Sequence, residues 1–298
     1  MRFSREVSQA RSDGRAVVAL ESSVLAQGLA APHNAEAARR MDLAIRAAGA
    51  VPAITAVVAG EPCAGLEPEE LARFLDSTSR ADKASARDLS VAIARRRDAA
   101  TTVAGALVLC HAAGIPVFAT GGIGGVHRAP AFDESADLIE LARTPMIVVC
   151  AGAKSVLDLP ATAERLESLG VTVLGYQTGE FPGFHYANTG IPVPSRVTNI
   201  EEIVDVYHAQ RSLGHPGAIL VVQPPPPDEA LPRDLVEAAI TQALEAARVS
   251  GVRGAATTPW LLSELARVTG GRTIRVNLAL LDANARLAAE IAVQLARR

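Results

Sequence analysis

The sequence predicts an α/β protein in which a mostly parallel sheet is flanked by helices on both faces, a three-layer α/β/α arrangement. Three observations carry this. Short apolar runs alternate with helix-length segments from residue 16 to the C-terminus, which is the pattern of a βαβ chain. The runs are apolar without interruption, as at 146–150 (MIVVC), and so read as strands buried on both faces. Aromatic residues make up only 3% of the 298 residues while alanine abounds, so the core relies on close approach of helices and sheet.

In order, residues 16–20 (AVVAL) are the first strand, ending directly on Glu21-Ser22-Ser23. Asn34 is expected to cap the helix that runs to the Gly at 49. Residues 51–59 are the next strand and 67–75 a helix. The polar stretch 77–88 is either a solvated loop or an extended segment in which Lys83, Ser85 and Arg87 alternate onto one face. Residues 99–113 read as one apolar helix closed by Gly114, and 115–119 as a strand. A helix opening at Phe132 puts Asp133 and Asp137, four apart, on one face. Helix 161–170, strand 171–174, a long loop at 175–191, helix 199–212, strand 218–223 and helices at 234–250, 258–269 and 277–298 complete the chain. No repeat or linker stands out, so 1–298 is expected to be a single domain. The prolines at 224–227 mark the one point where it could divide.

Composition narrows the function. A net charge of −3 and a pI near 6.1 give no reason to expect nucleic acid or an anionic membrane as partner. No apolar run approaches the roughly 18 residues of a membrane span, and residues 1–15 lack the apolar core of a signal peptide, so a cytoplasmic location is expected. Cys63, Cys110 and Cys150 are widely spaced in apolar or small-residue surroundings, which fits buried small side chains better than zinc ligands or disulfides.

The chemistry concentrates at strand ends. Lys154 follows the strand at 146–150 by a few small residues. A lysine there ordinarily keeps its head in water. Held at the mouth of an apolar strand, it would instead lose hydration, its pKa would fall, and the free amine could attack a carbonyl as a Schiff-base nucleophile. Glu21 ends another strand and is a candidate acid, or simply a surface carboxylate. Thr120-Gly121-Gly122-Ile123-Gly124-Gly125-Val126-His127-Arg128 offers four glycines in five residues beside two basic side chains, which favours an anion nest over a flexible turn. It is neither a Walker A sequence nor an ordered dinucleotide fingerprint. Asp133 and Asp137 could hold a divalent cation through oxygen, or could simply answer the helix dipole. An amine, a carboxylic acid, an anion cradle and a hard-metal site together specify a sugar phosphate with a latent aldehyde.

ALESS at 19–23, KASARD at 83–88, ATTVA at 100–104, FATGGIGGVHR at 118–128, FDESADL at 132–138, VVCAGAKSVLD at 148–158, and TPWLL with GG at 258–271 resemble the pseudouridine-5'-phosphate glycosidase family, also called the indigoidine synthase A-like family. Segment order is preserved over about residues 16–296. The resemblance implies a helix-flanked α/β fold and a homotrimer. It makes Lys154 the nucleophile that forms a Schiff base with C1' of ring-opened ribose 5-phosphate, and Glu21 the proton donor that opens the ring. It gives Lys83 and Asp137 contacts to sugar and phosphate or proton shuttling, and gives Asp133 a Mn2+ ion, or another divalent cation, held largely through water. Thr120, Gly121, Gly122, His127 and Ser135 become the phosphate cradle. Val103 and Ala136 fall at substrate-contacting positions, and Asn277 matches an asparagine that touches the base.

The chain departs from the family pattern where the aglycone would sit. Residues 25–32 read LAQGLAAP in place of I-S-H-G-M-P-Y-P, and His185-Tyr186-Ala187-Asn188 replaces an aromatic-plus-arginine segment. Residues 222–226 (VQPPP) and 283–285 (ANA) replace two further family motifs, and the turn before Phe132 is short by about two residues. The expected reaction is reversible cleavage of pseudouridine 5'-phosphate to uracil and ribose 5-phosphate. The alternative is a C-glycosynthase that joins ribose 5-phosphate to an aromatic polyketide aglycone in antibiotic biosynthesis of the alnumycin type. A lysine-dependent aldolase on another sugar phosphate and a non-enzymatic sugar-phosphate sensor are the remaining readings.

Overall fold

The structure, a computed structural model, describes residues 1–128, 132–252 and 257–297. The chain opens with a two-residue strand β1 (Arg2–Phe3) and helix α1 (Arg5–Ser12), capped by Ser4, whose hydroxyl accepts from the Val7 amide. Then come β2 (Val17–Leu20), a π-turn at Val24–Gly28, α2 (His33–Ala47), β3 (Val51–Val58), β4 (Glu61–Ala64) and α3 (Pro68–Leu75). The next elements are β5 (Asp82–Ala84), α4 (Ala86–Ala94), β6 (Ala99–Thr101), α5 (Val103–Ala113) and β7 (Val117–Ala119). After the glycine-rich loop follow α6 (Ala136–Arg143), β8 (Ile147–Cys150), α7 (Leu159–Ser168), β9 (Thr172–Tyr176), β10 (Ser195–Val197), α8 (Ile200–Ser212) and β11 (Ile219–Val222). The last three helices are α9 (Arg233–Val249), α10 (Thr257–Val268) and α11 (Arg272–Ala296).

The expected architecture is present. Strands β3-β2-β7-β8-β11-β9-β10 form a parallel sheet in that order, while the far half of β3 pairs antiparallel with β4 and β6. Register aligns Ala53, Ala19, Phe118, Val148, Leu220 and Val173 in one cross-sheet row, and all six point into the core shared with α1, α5, α6, α7, α9 and α10. One residue further on, Leu20, Ala119, Val149, Val221 and Leu174 form the opposite row, covered by α2, α8 and α11. Strict alternation between two apolar cores is why these strands read as unbroken apolar runs. Each fully buried Val or Leu contributes about 1.5–3 kcal/mol.

Several expectations are corrected. Residues 99–101 are strand β6, paired with β3 and β5, and the helix begins only at Val103 behind its cap Thr102. Alanines buried on every side carry no periodicity that separates strand from helix. The extended reading of 77–88 holds only through Ala84, because Ser85 and Asp88 form a capping box that starts α4. Arg87 therefore sits on α4 with its side chain 89% exposed and shares no face with Lys83. Asn34 lies within α2, not at its cap, and its amide donates to the carbonyls of Leu25 and Leu75. The three cysteines are free and buried, as expected, and burial pushes the Cys150 thiol up to about 12. No helix among the described residues is long and apolar enough to cross a membrane.

The long loop after β9 is packed inward. Phe181, Phe184, His185 and Tyr186 are all buried, and the Phe184 amide donates to the carbonyl of Ala151, just beyond β8. Gly152 makes this approach possible: its φ is +78°, and a Cβ there would lie 2.1 Å from the carbonyl oxygen of Pro182. Gly152→Ala is expected to destabilise the fold by more than about 2 kcal/mol, read as a lower urea midpoint at unchanged m-value.

Candidate active site

β2 lies between β3 and β7, so the chain leaves β2 for α2 on one face of the sheet and leaves β7 for α6 on the other. Two loops that part in this way open a crevice at the carboxyl edge of the strands, where α/β sheets bind ligands. Glu21 is the first residue past β2 and Thr120 the first past β7. The crevice becomes a pocket lined by Glu21, Lys83, Lys154, Gly121, Gly122 and Asn277, with Gln27, Phe184 and Leu262 among its walls.

Glu21 is nearly closed off, at 6% exposure, and both its oxygens are engaged. Thr120 Oγ1 donates to Oε1 and Ser23 Oγ to Oε2, each at 2.6 Å. The carboxyl is thus aimed by both of the parting loops, and can exchange a proton with a ligand only along a fixed direction. Thr120 is held in turn from below. Asn284, buried on α11, donates its amide to the carbonyls of Thr120 (2.8 Å) and Gly121 (3.2 Å), and Gln223 donates to Asn284 Oδ1 (2.9 Å). In the sequence, residues 283–285 stand out only as a departure from the family pattern; a second asparagine seven residues after Asn277, on the same face of one helix, is the signal that could have found this support.

Lys154 is carried by a loop stitched to the glycine loop. Its amide donates to the carbonyl of Ile123, and the Ala151 amide donates to that of Gly121. Lys83 reaches the same pocket from β5, beyond the antiparallel edge. Lys83 and Lys154 are the only lysines in the sequence, against 27 arginines, and both line one pocket. Crowding by protein, then the neighbouring Lys154 ammonium, holds Lys83 below the ordinary lysine value, while Glu21 and Asp137 pull the other way. Lys83 thus shares one pocket with a second amine and with the Glu21 carboxyl.

The glycine loop is clamped by Asp137, whose Oδ2 accepts from the Gly124 amide (2.7 Å) and whose Oδ1 accepts from the Ala104 amide at the start of α5 (2.9 Å). A Cβ at Gly124 would lie 2.2 Å from Ser135 Oγ, so only glycine lets Asp137 and Ser135 close on the loop. Ser135 caps α6, which begins at Ala136. Asp133 therefore precedes the helix and shares no helix face with Asp137, a correction to the spacing argument. The His127 amide donates to the Asp133 carbonyl and Val126 bridges Glu134, so the backbone at Asp133 and Glu134 is engaged with the glycine loop instead of a helix. His127, Asp133, Ser135 and the exposed Ala136 form the outer side of the cradle and do not line the pocket. Val103 is buried in the core at the first turn of α5.

Behind Lys154, Ser155 Oγ and His185 Nδ1 are 2.8 Å apart and fully enclosed. Burial drives the imidazole down to about 3, so it is neutral at physiological pH and braces the lysine loop without adding charge. Among the described residues, no group of three His, Cys, Asp or Glu side chains converges on a metal position. Asp133, with its side chain 41% exposed and 3.9 Å from His127 Nδ1, offers a single hard oxygen donor group. That donor set fits a cation that keeps most of its water.

Comparison with known proteins bears on family and fold. The sequence profile described as "Indigoidine synthase A like protein" matches residues 6–294. A pseudouridine-5'-phosphate glycosidase of Gemmatimonas aurantiaca is 58% identical over 294 residues, covering 99% of this chain and 96% of its own. One of Chloroflexus aurantiacus is 49% identical over 300 residues, covering 99% and 98%. Among solved structures, the prealnumycin C-glycosynthase AlnA in complex with ribulose 5-phosphate is 38% identical, with a TM-score of 0.91 and coverage of 99% and 97%.

Lys83 keeps much of its surface in solvent, so the cost of its placement is screened and small. Its folded pKa lies below the unfolded value near 10.5, so the unfolded chain binds more protons between the two and the folded state gains stability as pH rises through that window. Lys83→Met is expected to melt above the parent at pH 7, with the gain shrinking towards pH 10.5, in paired thermal melts.

Proposed function

The chain belongs to the indigoidine synthase A-like family, and from that premise we propose that it breaks and makes the carbon–carbon glycosidic bond between C1' of ribose 5-phosphate and a carbon aglycone. Pseudouridine 5'-phosphate, uracil and ribose 5-phosphate are the reactants that the 58% and 49% identical relatives favour. The observation that carries the reading is the meeting of Glu21 with both lysines in one pocket at the parting of β2 and β7.

A carbon leaving group has no lone pair to protonate, so the bond must be weakened from the sugar side. Lys154 Nζ attacks C1', the C1'–O4' bond breaks, Glu21 gives O4' its proton, and the Glu21 carboxylate then takes a proton from the new C1'–N nitrogen, restoring its lone pair. C1' then carries both the lysine nitrogen and the base. Protonation at C5 of uracil, with Lys83 as donor, lets the C1'–C5 pair pass to the base while the nitrogen lone pair forms the C1'=N iminium. Water hydrolyses the iminium to the aldehyde of ribose 5-phosphate and returns the free amine. Every step reverses, so the same groups serve synthesis.

Asp137 holds the cradle backbone while Gly121, Gly122, His127 and Ser135 receive the phosphate, with Ala136 and Val103 beside it and Thr120, its donors spent on Glu21 and Val149, at the edge. Mn2+ or another divalent cation, held by Asp133 largely through water, would neutralise phosphate charge. The same reading includes a homotrimer. A second reading, C-ribosylation of an aromatic acceptor, draws on the likeness to AlnA.

Assays with Mn2+ in both directions separate the two readings: uracil turnover supports the glycosidase, and aromatic coupling with negligible uracil chemistry supports the synthase. Lys154→Ala is expected to lose activity by at least ~10⁴-fold, to retain its circular dichroism, and to leave no borohydride-trapped ribose 5-phosphate adduct in the mass spectrum. Retained turnover would rule out the covalent route, and a wild type that binds ribose 5-phosphate without an adduct would favour a sensor. Asp133→Ala should need at least ~10-fold more Mn2+ for half-maximal rate; an unchanged metal titration would remove it as a ligand.

A further inference from the structure

The pocket presents two unpaired acceptors to whatever fills it. Among the described residues, two buried side-chain polar atoms have no partner, Gln27 Oε1 and Asn277 Oδ1, and both residues line this pocket. A buried acceptor left unpaired is costly, so two of them on residues of one cavity mark a place where donors are expected. Asn277 is already tied to the base by the family resemblance. Gln27 is not, and it stands where the family pattern has a histidine.

The orientation of Gln27 is fixed. Its Nε2 donates to the carbonyl of Ala81 at 3.1 Å, and a carbonyl oxygen can only accept, so the amide cannot be flipped without placing oxygen against oxygen. Oε1 is therefore the atom left unpaired. The π-turn at Val24–Gly28 that presents it is held by the Leu29 amide on the Val24 carbonyl, and Asn34 secures its Leu25 carbonyl. Val24, Phe184, Pro259 and Leu262 supply apolar walls suited to a flat ring.

We infer that Gln27 is a specificity-determining residue whose side-chain carbonyl accepts an N–H of the aglycone ring, so that with Asn277 the pocket selects a ring bearing two N–H donors. This rests on the function proposed above and sharpens it. Uracil joined through C5 keeps both N1–H and N3–H free, whereas a quinone-type aromatic displays carbonyl oxygens that would face Gln27 Oε1 acceptor to acceptor. Rejection of a ring lacking the donor is the strong form of discrimination, because the site's own polar atom is then left stranded.

The test compares wild type and Gln27→Met on pseudouridine 5'-phosphate and on its N1-methyl and N3-methyl analogues. We expect methylation of one nitrogen to lower wild-type kcat/KM by about 10–100-fold. Gln27→Met should lose a similar factor on the parent substrate and little more on that analogue, since the bond is already gone. Borohydride trapping of ribose 5-phosphate, which involves no aglycone, should fall far less than turnover, showing that the variant is folded. Undiminished kcat/KM in Gln27→Met, or equal methylation penalties in both proteins, overturns the inference while leaving the proposed function standing. A wild type that does not cleave pseudouridine 5'-phosphate overturns the function first and this inference with it.

Discussion

The hydrogen bond from Thr120 to Glu21 joins two loops that the sheet topology drives apart, and the arrangement of the pocket follows from it. β2 and β7 are neighbours with parallel register, yet their connections leave to opposite faces. Without a bond across the gap, the acid and the glycine loop would be positioned independently. With it, the movement of either loop is felt by both. Asn284 extends this coupling into the longest helix, α11, by holding the Thr120 and Gly121 carbonyls.

The same economy runs through the charged groups. Asp137 spends both oxygens on backbone amides, so its contribution to the pocket is a fixed negative field near Lys83 as well as a clamp on the glycine loop. The enclosed Ser155–His185 pair does the reverse, supporting the Lys154 loop with a group that burial keeps uncharged. The support behind Lys154 is thus uncharged, while the support behind the glycine loop is an anion. A second cation or an ionised imidazole behind Lys154 would alter the balance among Glu21, Lys83 and Lys154.

Much of the fold was legible because its information is local. Uninterrupted apolar runs announce strands buried on both faces, and Gly114 ends α5 in the left-handed conformation its position called for. The elements that escaped are those defined by partners distant in sequence. β6 is a strand because β3 and β5 flank it, and nothing in Ala99-Ala100-Thr101 alone says so. Among the site residues, Glu21, Thr120 and Lys154 could be read from strand ends, and the recurring family segments added Lys83. Asp133 and Asp137 were misjudged as a helical pair because spacing cannot see that Ser135 starts the helix between them. Asn284 and Gln27 stand out in the sequence only as departures from the family pattern, for a related reason: their importance lies in which carbonyl or amide each one meets.

Lysine has almost been removed from this protein, with arginine taking every other cationic position in the sequence. Arginine serves as well or better in surface ion pairs, but its guanidinium does not deprotonate and so cannot act as an amine. The two amines that persist face one cavity. Apart from the N-terminus, any reagent that modifies primary amines therefore has one destination on this molecule, and ordinary amine labelling becomes a titration of the pocket itself.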